Sequence, residues 1–422
     1  MAEPRSATSI QTILKRIARG GTAPQFDPPR FHPFPARMPI WLAREFIENL
    51  SEPGETVLDP MVGSGTTAIA ALLAGRNVIG TDIDPMALLL SRVGTTAYNA
   101  EKSARVLAEI LDLAKRRLDR RLSVDGVRNN FEEDGQEFLK LWFPPRSQKE
   151  LFALATEVAK IPAGKHRDLA WVVFSSLIIA KASGASYALD IARSRPHKVE
   201  DKPILNPLEG WELKSKSVLK RLPLASGPAE EVTADVHRAD ARKLSVPDRS
   251  VALVVTSPPY INAIDYMRTH KFSLLWMGHE LSDLRDIRGT MIGTERGMHS
   301  PDSLPPKLED RIVESIDAPT RLGVVRRYLS DMRRVLLEIH RVLKPGGAVV
   351  MALGPSVIAS DKPDAGTVIG GLAESVGFLK VCSSFRPLEE SRRSLPPPLA
   401  ARRGNSLGLR MAGEVFLGLR KP

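Results

Sequence analysis

Thr56-Val57-Leu58-Asp59-Pro60-Met61-Val62-Gly63-Ser64-Gly65-Thr66-Thr67 passes from a short apolar, β-branched run through a turn holding two glycines. It leads into AIAALLAGR (68–76), an Ala/Leu-rich and strongly helix-forming stretch. Gly75 ends that helix, and Val78-Ile79-Gly80-Thr81-Asp82 reads as a second strand. Strand, turn, helix and strand together have the size of a βαβ crossover. Glycine lets the backbone turn sharply at a strand's end and lie against a ligand with no Cβ in the way. Gly63-x-Gly65-x-x-Ala68 sits directly after a strand, and Asp82 closes the next one, 19 positions after Gly63. That context is the one a nucleotide-type cofactor site requires, with the acid accepting hydrogen bonds from ribose hydroxyls. A GxxxxGK[ST] loop is absent, which disfavours a P-loop kinase or ATPase.

The turn alone leaves two cofactors open, a nicotinamide dinucleotide and S-adenosylmethionine, since both present adenosine. Asp59 bears on the choice. An acid at the end of the first strand faces the non-adenosine end of the ligand, where it would repel a pyrophosphate but accept from the amino group of methionine. This favours S-adenosylmethionine.

Outward from this unit, apolar and helical patterns alternate. The spacing predicts a helix over 40–50, which stops at Pro53-Gly54, a strand at Val251–Val255, and a long helix over 325–343. A strand at Ala348–Leu353, a helix near 366–376, a strand near 378–385 and a last strand at Glu414–Leu419 follow. Such alternation implies an α/β fold with a Rossmann-like, mainly parallel sheet. From 100 to 232 helical patterns dominate and predict a mostly helical insertion. The organisation expected is an N-terminal arm (1–30), a cofactor-binding half (31–99), the insertion (100–232) and a catalytic half (233–422). The last carries two basic, Pro/Gly-rich loops, 281–324 and 386–410.

Composition narrows the class. In 422 residues, 60 Lys and Arg stand against 49 Asp and Glu, a net charge of +11 that favours a polyanionic partner, nucleic acid before membrane. The single cysteine, Cys382, excludes an internal disulfide and a multi-cysteine metal site, and no HxxxH pair replaces it, so no metal is expected. Lacking a signal-like start or an apolar run of membrane-spanning length, the chain is expected to be cytoplasmic.

A second constellation is Thr256-Ser257-Pro258-Pro259-Tyr260, delivered by VALVV (251–255) to the end of a sheet strand. Open α/β sheets bind ligands at that end. Two prolines stiffen the loop and remove amide donors, leaving carbonyls that only accept, beside a hydroxyl and an aromatic ring. Such a loop suits an exocyclic amino group on a flat heteroaromatic ring, with Tyr260 stacking on its face.

These two constellations together resemble the amino-methylating DNA methyltransferases, the cytosine-N4 and adenine-N6 family. DPMVGSGTT (59–67) is similar to that family's S-adenosylmethionine motif and TSPPY (256–260) to its catalytic [DNS]PP[YFW] motif. GTDIDP (80–85), Asp240 in HRADARKL, HRVLKPGG (340–347) and HPFPARMP (32–39) add to the match, which covers roughly 31–99 and 232–420. The resemblance implies a Rossmann-like S-adenosylmethionine-dependent methyltransferase sheet. Cofactor binding would fall to Asp59, Pro60, Gly63, Gly65, Thr66, Thr67, Asp82, Ile83 and Asp240, and catalysis to Ser257, Pro258, Pro259 and Tyr260. Serine at the first position of the catalytic motif is usual for cytosine-N4 enzymes and aspartate for adenine-N6 enzymes, so Ser257 points to cytosine-N4. A C5-cytosine mechanism would need a cysteine in a Pro-Cys context, and Cys382 follows Val381 instead.

Duplex DNA is the implied partner, with base flipping; a separately encoded restriction endonuclease is a possible second partner, and oligomeric state is not legible. The cofactor half precedes the catalytic half here, the reverse of many relatives, which leaves target recognition to 100–232 with help from 281–324. Phosphate contacts are expected from Arg116, Arg117, Arg120 and Arg121, or from Arg392, Arg393, Arg402 and Arg403. Asn262, Asp265 and Tyr266 stand where a target pocket could be lined, whereas His270 and His340 read as structural. An adenine-N6 DNA methyltransferase is the first alternative; an RNA or protein amide or amino methyltransferase on the same fold, against which Ser257 weighs, is the second; a nicotinamide oxidoreductase or a non-catalytic nucleic-acid binder, against which the TSPPY loop weighs, is the third.

Overall fold

A computed structural model describes residues 5–19, 30–35, 37–119, 122–180, 183–193, 196–222, 231–259, 265–294, 304–313, 319–354, 365–387 and 413–422. After α1 (Ala7–Ala18) and α2 (Ile40–Leu50) come β1 (Thr56–Asp59), α3 (Thr66–Leu73), β2 (Asn77–Asp82) and α4 (Pro85–Gly94). Next lie α5 (Ala100–Leu118), α6 (Val124–Arg128), α7 (Glu133–Trp142), α8 (Pro145–Lys160), α9 (Lys165–Ile178) and α10 (Pro207–Lys220), with a small hairpin of β3 (Ala188–Leu189) and β4 (His197–Lys198) before α10. Then follow β5 (Ala234–Arg238), β6 (Val251–Thr256), α11 (Met267–Leu274), α12 (Leu281–Thr290), α13 (Pro306–Val313) and α14 (Pro319–Val342). The chain ends with β7 (Leu343–Leu353), α15 (Ala365–Ser375), β8 (Leu379–Pro387) and β9 (Gly413–Arg420).

Seven strands form one sheet in the order β5-β2-β1-β6-β7-β9-β8, parallel except for β9, which runs antiparallel to both neighbours. This is the Rossmann-like α/β fold expected from the alternation. Every residue of β6 is buried, as a central parallel strand covered on both faces must be. Alternate side chains enter opposite cores. Val57, Leu253 and Val255 meet α1, α2 and α3 on one face, while Leu58, Val254 and Val349 meet α14 and α15 on the other. Strand order reverses between β1 and β6, paired as Val57↔Leu253 and Leu58↔Val254. Both therefore end side by side at the topological switch point, where such sheets bind ligands.

Two expectations need correction, and one strand is added. The described part of the N-terminal arm, 5–19, is mostly a helix docked on the sheet: Ile10, Ile13, Leu14 and Ile17 of α1 are buried, and Gly418 of β9 leaves the room that Ile10 and Leu14 fill. The stretch 281–324 is not a loop throughout, because Leu281 and Leu284 anchor α12 in the core, and α13 and the start of α14 also lie within it. β5 was not foreseen. It is the partly exposed edge of the sheet and has no strong apolar signal. Of 386–410, only the end of β8 falls within the described residues.

The helices between 100 and 220 do not have a core of their own. Leu107, Phe143, Leu151 and Phe174 share one apolar cluster with Met86 and Leu90 of α4 and with Phe272, Leu275 and Trp276. From Leu169 to Ile178 α9 is buried on all sides, and Trp211 of α10 donates from Nε1 to the Leu107 carbonyl at 2.8 Å. Among the described residues no helix is long and apolar enough to cross a membrane.

Candidate active site

At the β1/β6 switch point lies a cavity of about 320 Å³, a volume suited to a small-molecule cofactor. Of the residues singled out from sequence, Asp59, Pro60, Gly63, Thr66, Thr67, Asp82, Ile83, Asp240, Ser257 and Pro259 line it. Gly65 does not. Its φ is +84°, and a Cβ there would stand 2.9 Å from Ser91 Cα, so this glycine serves the close packing of the turn on α4. Pro258 is absent from the lining, and Tyr260 and Asn262 lie outside the described residues.

The inner end of the cavity is built from acids. Asp59, buried at the end of β1, accepts from Thr256 Oγ1 at 2.7 Å and from the Met61 N–H at 3.2 Å. Burial pushes its carboxyl up to about 6, opposed by the hydrogen bonds of Thr256 and Thr67. Asp82 accepts from the Gly63 N–H and the Asp84 N–H, each at 3.0 Å. Burial, with Asp84 and Asp59 nearby, raises it to about 7. Thus the glycine turn is tied to the acid of the second strand, and no cationic side chain is among the described partners of either carboxylate.

Asp240 is held differently. Its Oδ2 accepts from Arg242 Nη2 at 2.7 Å and its Oδ1 from the Arg242 N–H at 2.9 Å. Arg242, nearly buried, also reaches Asp331 of α14 at 2.7 Å and donates to the Thr290 carbonyl at 2.9 Å. One guanidinium thereby joins the segment after β5, the helix α14 and the end of α12. Thr290 to Thr294 form the adjoining cavity wall.

A third wall comes from HPFPARMP and from α11. Phe34 stacks on Tyr266 with ring centroids 5.1 Å apart, and both line the cavity together with Arg37 and Met38. Behind them His270 Nδ1 lies 2.5 Å from Asp84 Oδ2, buried. His32 is held by the Pro33 carbonyl at 2.7 Å and by Ser175 Oγ of α9 at 3.0 Å. Burial lowers His32 to about 3, so the ring is neutral: Nδ1 donates to the carbonyl and Nε2 accepts from the serine.

At the catalytic motif, Ser257 Oγ donates to the Ala352 carbonyl of β7 at 3.2 Å. A hydroxyl has one proton and two lone pairs. Spending the proton on β7 leaves the oxygen an acceptor toward the cavity. Asp265 lines the cavity too, bound to Arg268 at 3.0 Å and to Arg288 at 2.5 Å. Arg242, Arg288 and the 290–294 wall were not foreseen. The only sequence signal was the arginine two places after Asp240 and the Leu281/Leu284 spacing that makes α12 a helix.

Of the arginines expected on phosphate, Arg117 is paired with Glu157 at 2.7 Å. Arg120, Arg121, Arg392, Arg393, Arg402 and Arg403 lie outside the described residues, and Cys382 is half-buried on β8 near the sheet edge.

The cavity fits S-adenosylmethionine in the chemistry of its groups. Asp59, buried, and Asp82, partly exposed to the cavity, have no cation among their described partners and suit a ligand rich in hydroxyl and ammonium donors, and Met61, Ile83, Ala241 and Ile292 provide apolar walls for a flat ring.

The model of the N6/N4 type DNA methylases matches residues 12–92. The chain is 24% identical over 389 residues to the type II methyltransferase M.BsoBI of Geobacillus stearothermophilus, covering 79% of this chain and 76% of that protein. It is 21% identical over 417 residues to the type II methyltransferase M.MvaI of Kocuria varians, covering 93% and 90%. A shorter match, 35% over 135 residues and 32% of this chain, is to a ribosomal protein L11 methyltransferase of Vibrio campbellii.

Proposed function

From the premise that this chain belongs to the amino-methylating DNA methyltransferases and uses S-adenosylmethionine, we propose that it methylates the N4 amino group of cytosine in duplex DNA, at a specific sequence and with the base flipped out. The observation that carries the choice is Ser257 at the cavity wall, its Oγ proton directed to Ala352 and its lone pairs left to accept.

S-adenosylmethionine supplies an electrophilic methyl on its sulfonium. Asp59 receives the donor groups at its methionine end, with Pro60, Gly63, Thr66 and Thr67 around them. Asp82 would accept from the ribose hydroxyls, Ile83 would offer an apolar surface to the adenine, and Asp240 would accept from the adenine amino group. The role of Gly65 is indirect: it shapes the turn that brings Gly63 to the ligand.

An exocyclic amino nitrogen delocalises its lone pair into the ring and is a poor nucleophile. Ser257 Oγ and the Pro258 carbonyl accept its two N–H bonds, drawing the nitrogen toward tetrahedral geometry, with Pro259 stiffening the loop and Tyr260 stacked on the base. Most of the acceleration comes from positioning and from charge stabilisation in a closed site, not from a covalent intermediate.

The test is transfer of labelled methyl from S-adenosylmethionine to mixed-sequence duplex DNA, followed by nucleoside mass spectrometry of the digest. N4-methylcytosine is the expected product. N6-methyladenine would overturn the base and keep the acceptor chemistry, and label in RNA or protein alone would overturn the DNA assignment.

A further inference from the structure

α11 and α12 pack together at the mouth of the cavity, and the sorting of charge between them is unlike that of an ordinary solvated surface. On α11, Arg268 and Lys271 are three residues apart and share a face. On α12, Arg285 and Arg288 have the same spacing. Asp283 and Asp286 stand at least about 100° farther around α12, given the 3.6-residue turn, and are exposed. The helix thus turns Arg288 toward the cavity and Arg285 toward Asp134 of α7, on the same side, and its acids away from both.

Four cations meet there and two acids answer them. Asp265 takes Arg268 and Arg288, and Asp134 of α7 takes Arg285 at 2.9 Å. Lys271 makes no ion pair with an acid among the described residues; its Nζ lies over the Phe138 ring, 5.1 Å from the centroid. Burial, together with Arg288, Arg268 and Arg285, pushes the Lys271 ammonium down, with Asp265 opposing. Such crowding of like charge costs folding free energy, which a polyanion laid across it would recover. Arg268 and Arg288 line the cavity itself, whereas Arg285 reaches outward and is 63% exposed, so the positive strip runs from the cavity rim to open surface.

We infer that the strip formed by Arg268, Lys271, Arg285 and Arg288 is a phosphate-binding seat, which grips the DNA backbone beside the nucleotide entering the cavity. The inference rests on the proposed action on DNA and adds where the backbone lies. α11 begins directly after the catalytic segment in sequence, so a phosphate fixed on it is held in register with the acceptor loop. A phosphate contact of this kind positions without reading sequence.

The experiment is fluorescence-anisotropy binding of a mixed-sequence duplex across a potassium chloride series, comparing the wild-type chain with K271Q/R285Q, whose side chains do not line the cavity, and with K344Q, an exposed lysine at the start of β7, the end of that strand opposite the cavity. Each lost phosphate contact lowers the magnitude of the salt slope by about 1. K271Q/R285Q is therefore expected to lower it by about 2 and to weaken binding roughly tenfold at low salt. K344Q should leave the slope within error of wild type, and calorimetric S-adenosylmethionine affinity should be the same in all three, which separates loss of a contact from loss of the fold. A wild-type slope in K271Q/R285Q would overturn the seat alone, as would a drop confined to K344Q. If the wild-type chain shows no salt-dependent binding to duplex DNA, both the seat and the DNA assignment fall.

Discussion

The two ends of the cavity treat carboxylates in opposite ways. At the inner end Asp59, buried, and Asp82, half-buried, are held by a hydroxyl and backbone N–H groups, with no cation among their described partners, and both are raised well above the ordinary range. Nearer the rim Asp240 and Asp265 are clamped by Arg242, Arg268 and Arg288. An acid left without a cation in a buried site costs stability until a ligand brings the missing charge or donors. An acid already neutralised by arginine acts as a strut. Recognition of the cofactor's methionine and ribose ends is therefore concentrated at the inner end, whereas the rim holds the walls, sets Asp240 at the adenine side and turns its cationic strip outward.

The largest effect should come from the inner end. Asp82→Ala removes the acceptor of the Gly63 N–H as well as a candidate ligand contact, and cofactor affinity measured by calorimetry should fall roughly a hundredfold. A change within threefold would erase the contrast between the two ends. Ser257→Ala should lower kcat for DNA methylation by about a hundredfold while leaving cofactor affinity near its parent value, since only the acceptor is lost. At the rim, Arg242→Met should cost about 3 kcal/mol in chemical denaturation, because Asp240 and Asp331 lose their common partner. Its cofactor affinity should drop only a fewfold; a hundredfold drop would make the rim a recognition element after all.

The smallest effect is in pH. The folded Asp82 carboxyl sits near 7 and its ordinary value near 3.8, so between those values the folded state binds the extra proton. Wild-type stability then falls as pH rises from 4 to 7 relative to Asp82→Asn, which cannot titrate. The gap between the two proteins without cofactor should widen by at least about 1.4 kcal/mol, the equivalent of one pKa unit. Denaturation curves at pH 5 and pH 8 would show it, and a constant gap would mean that Asp82 is solvated.

Much of the inner end was legible in the sequence. The strand, glycine turn and helix from Thr56 to Leu73, and the acid closing β2, follow from local propensity and from where glycine is required. So does the delivery of Ser257 by an unbroken apolar strand. The rim was not legible, because its clamps join residues remote in sequence. Arg242 reaches Asp331, 89 positions on, and His32 reaches Ser175, 143 positions on. No local pattern marks such partners. The Ile10, Ile13, Leu14 and Ile17 stripe of α1 was visible as amphipathic, yet only packing revealed that it covers the sheet near Gly418.

By itself, then, the sequence determined the α/β alternation, the two motifs and their chemistry, since each depends on residues within a few positions of one another. Tertiary structure alone decided the strand order that sets β1 beside β6, and with it the 2.7 Å bond between Thr256 and Asp59 that joins the two motifs at one cavity. It also decided which charges are neutralised and which stay available. Pairing of polar and charged groups is a matter of distance in space, and the partners in that one bond stand 197 positions apart in the chain.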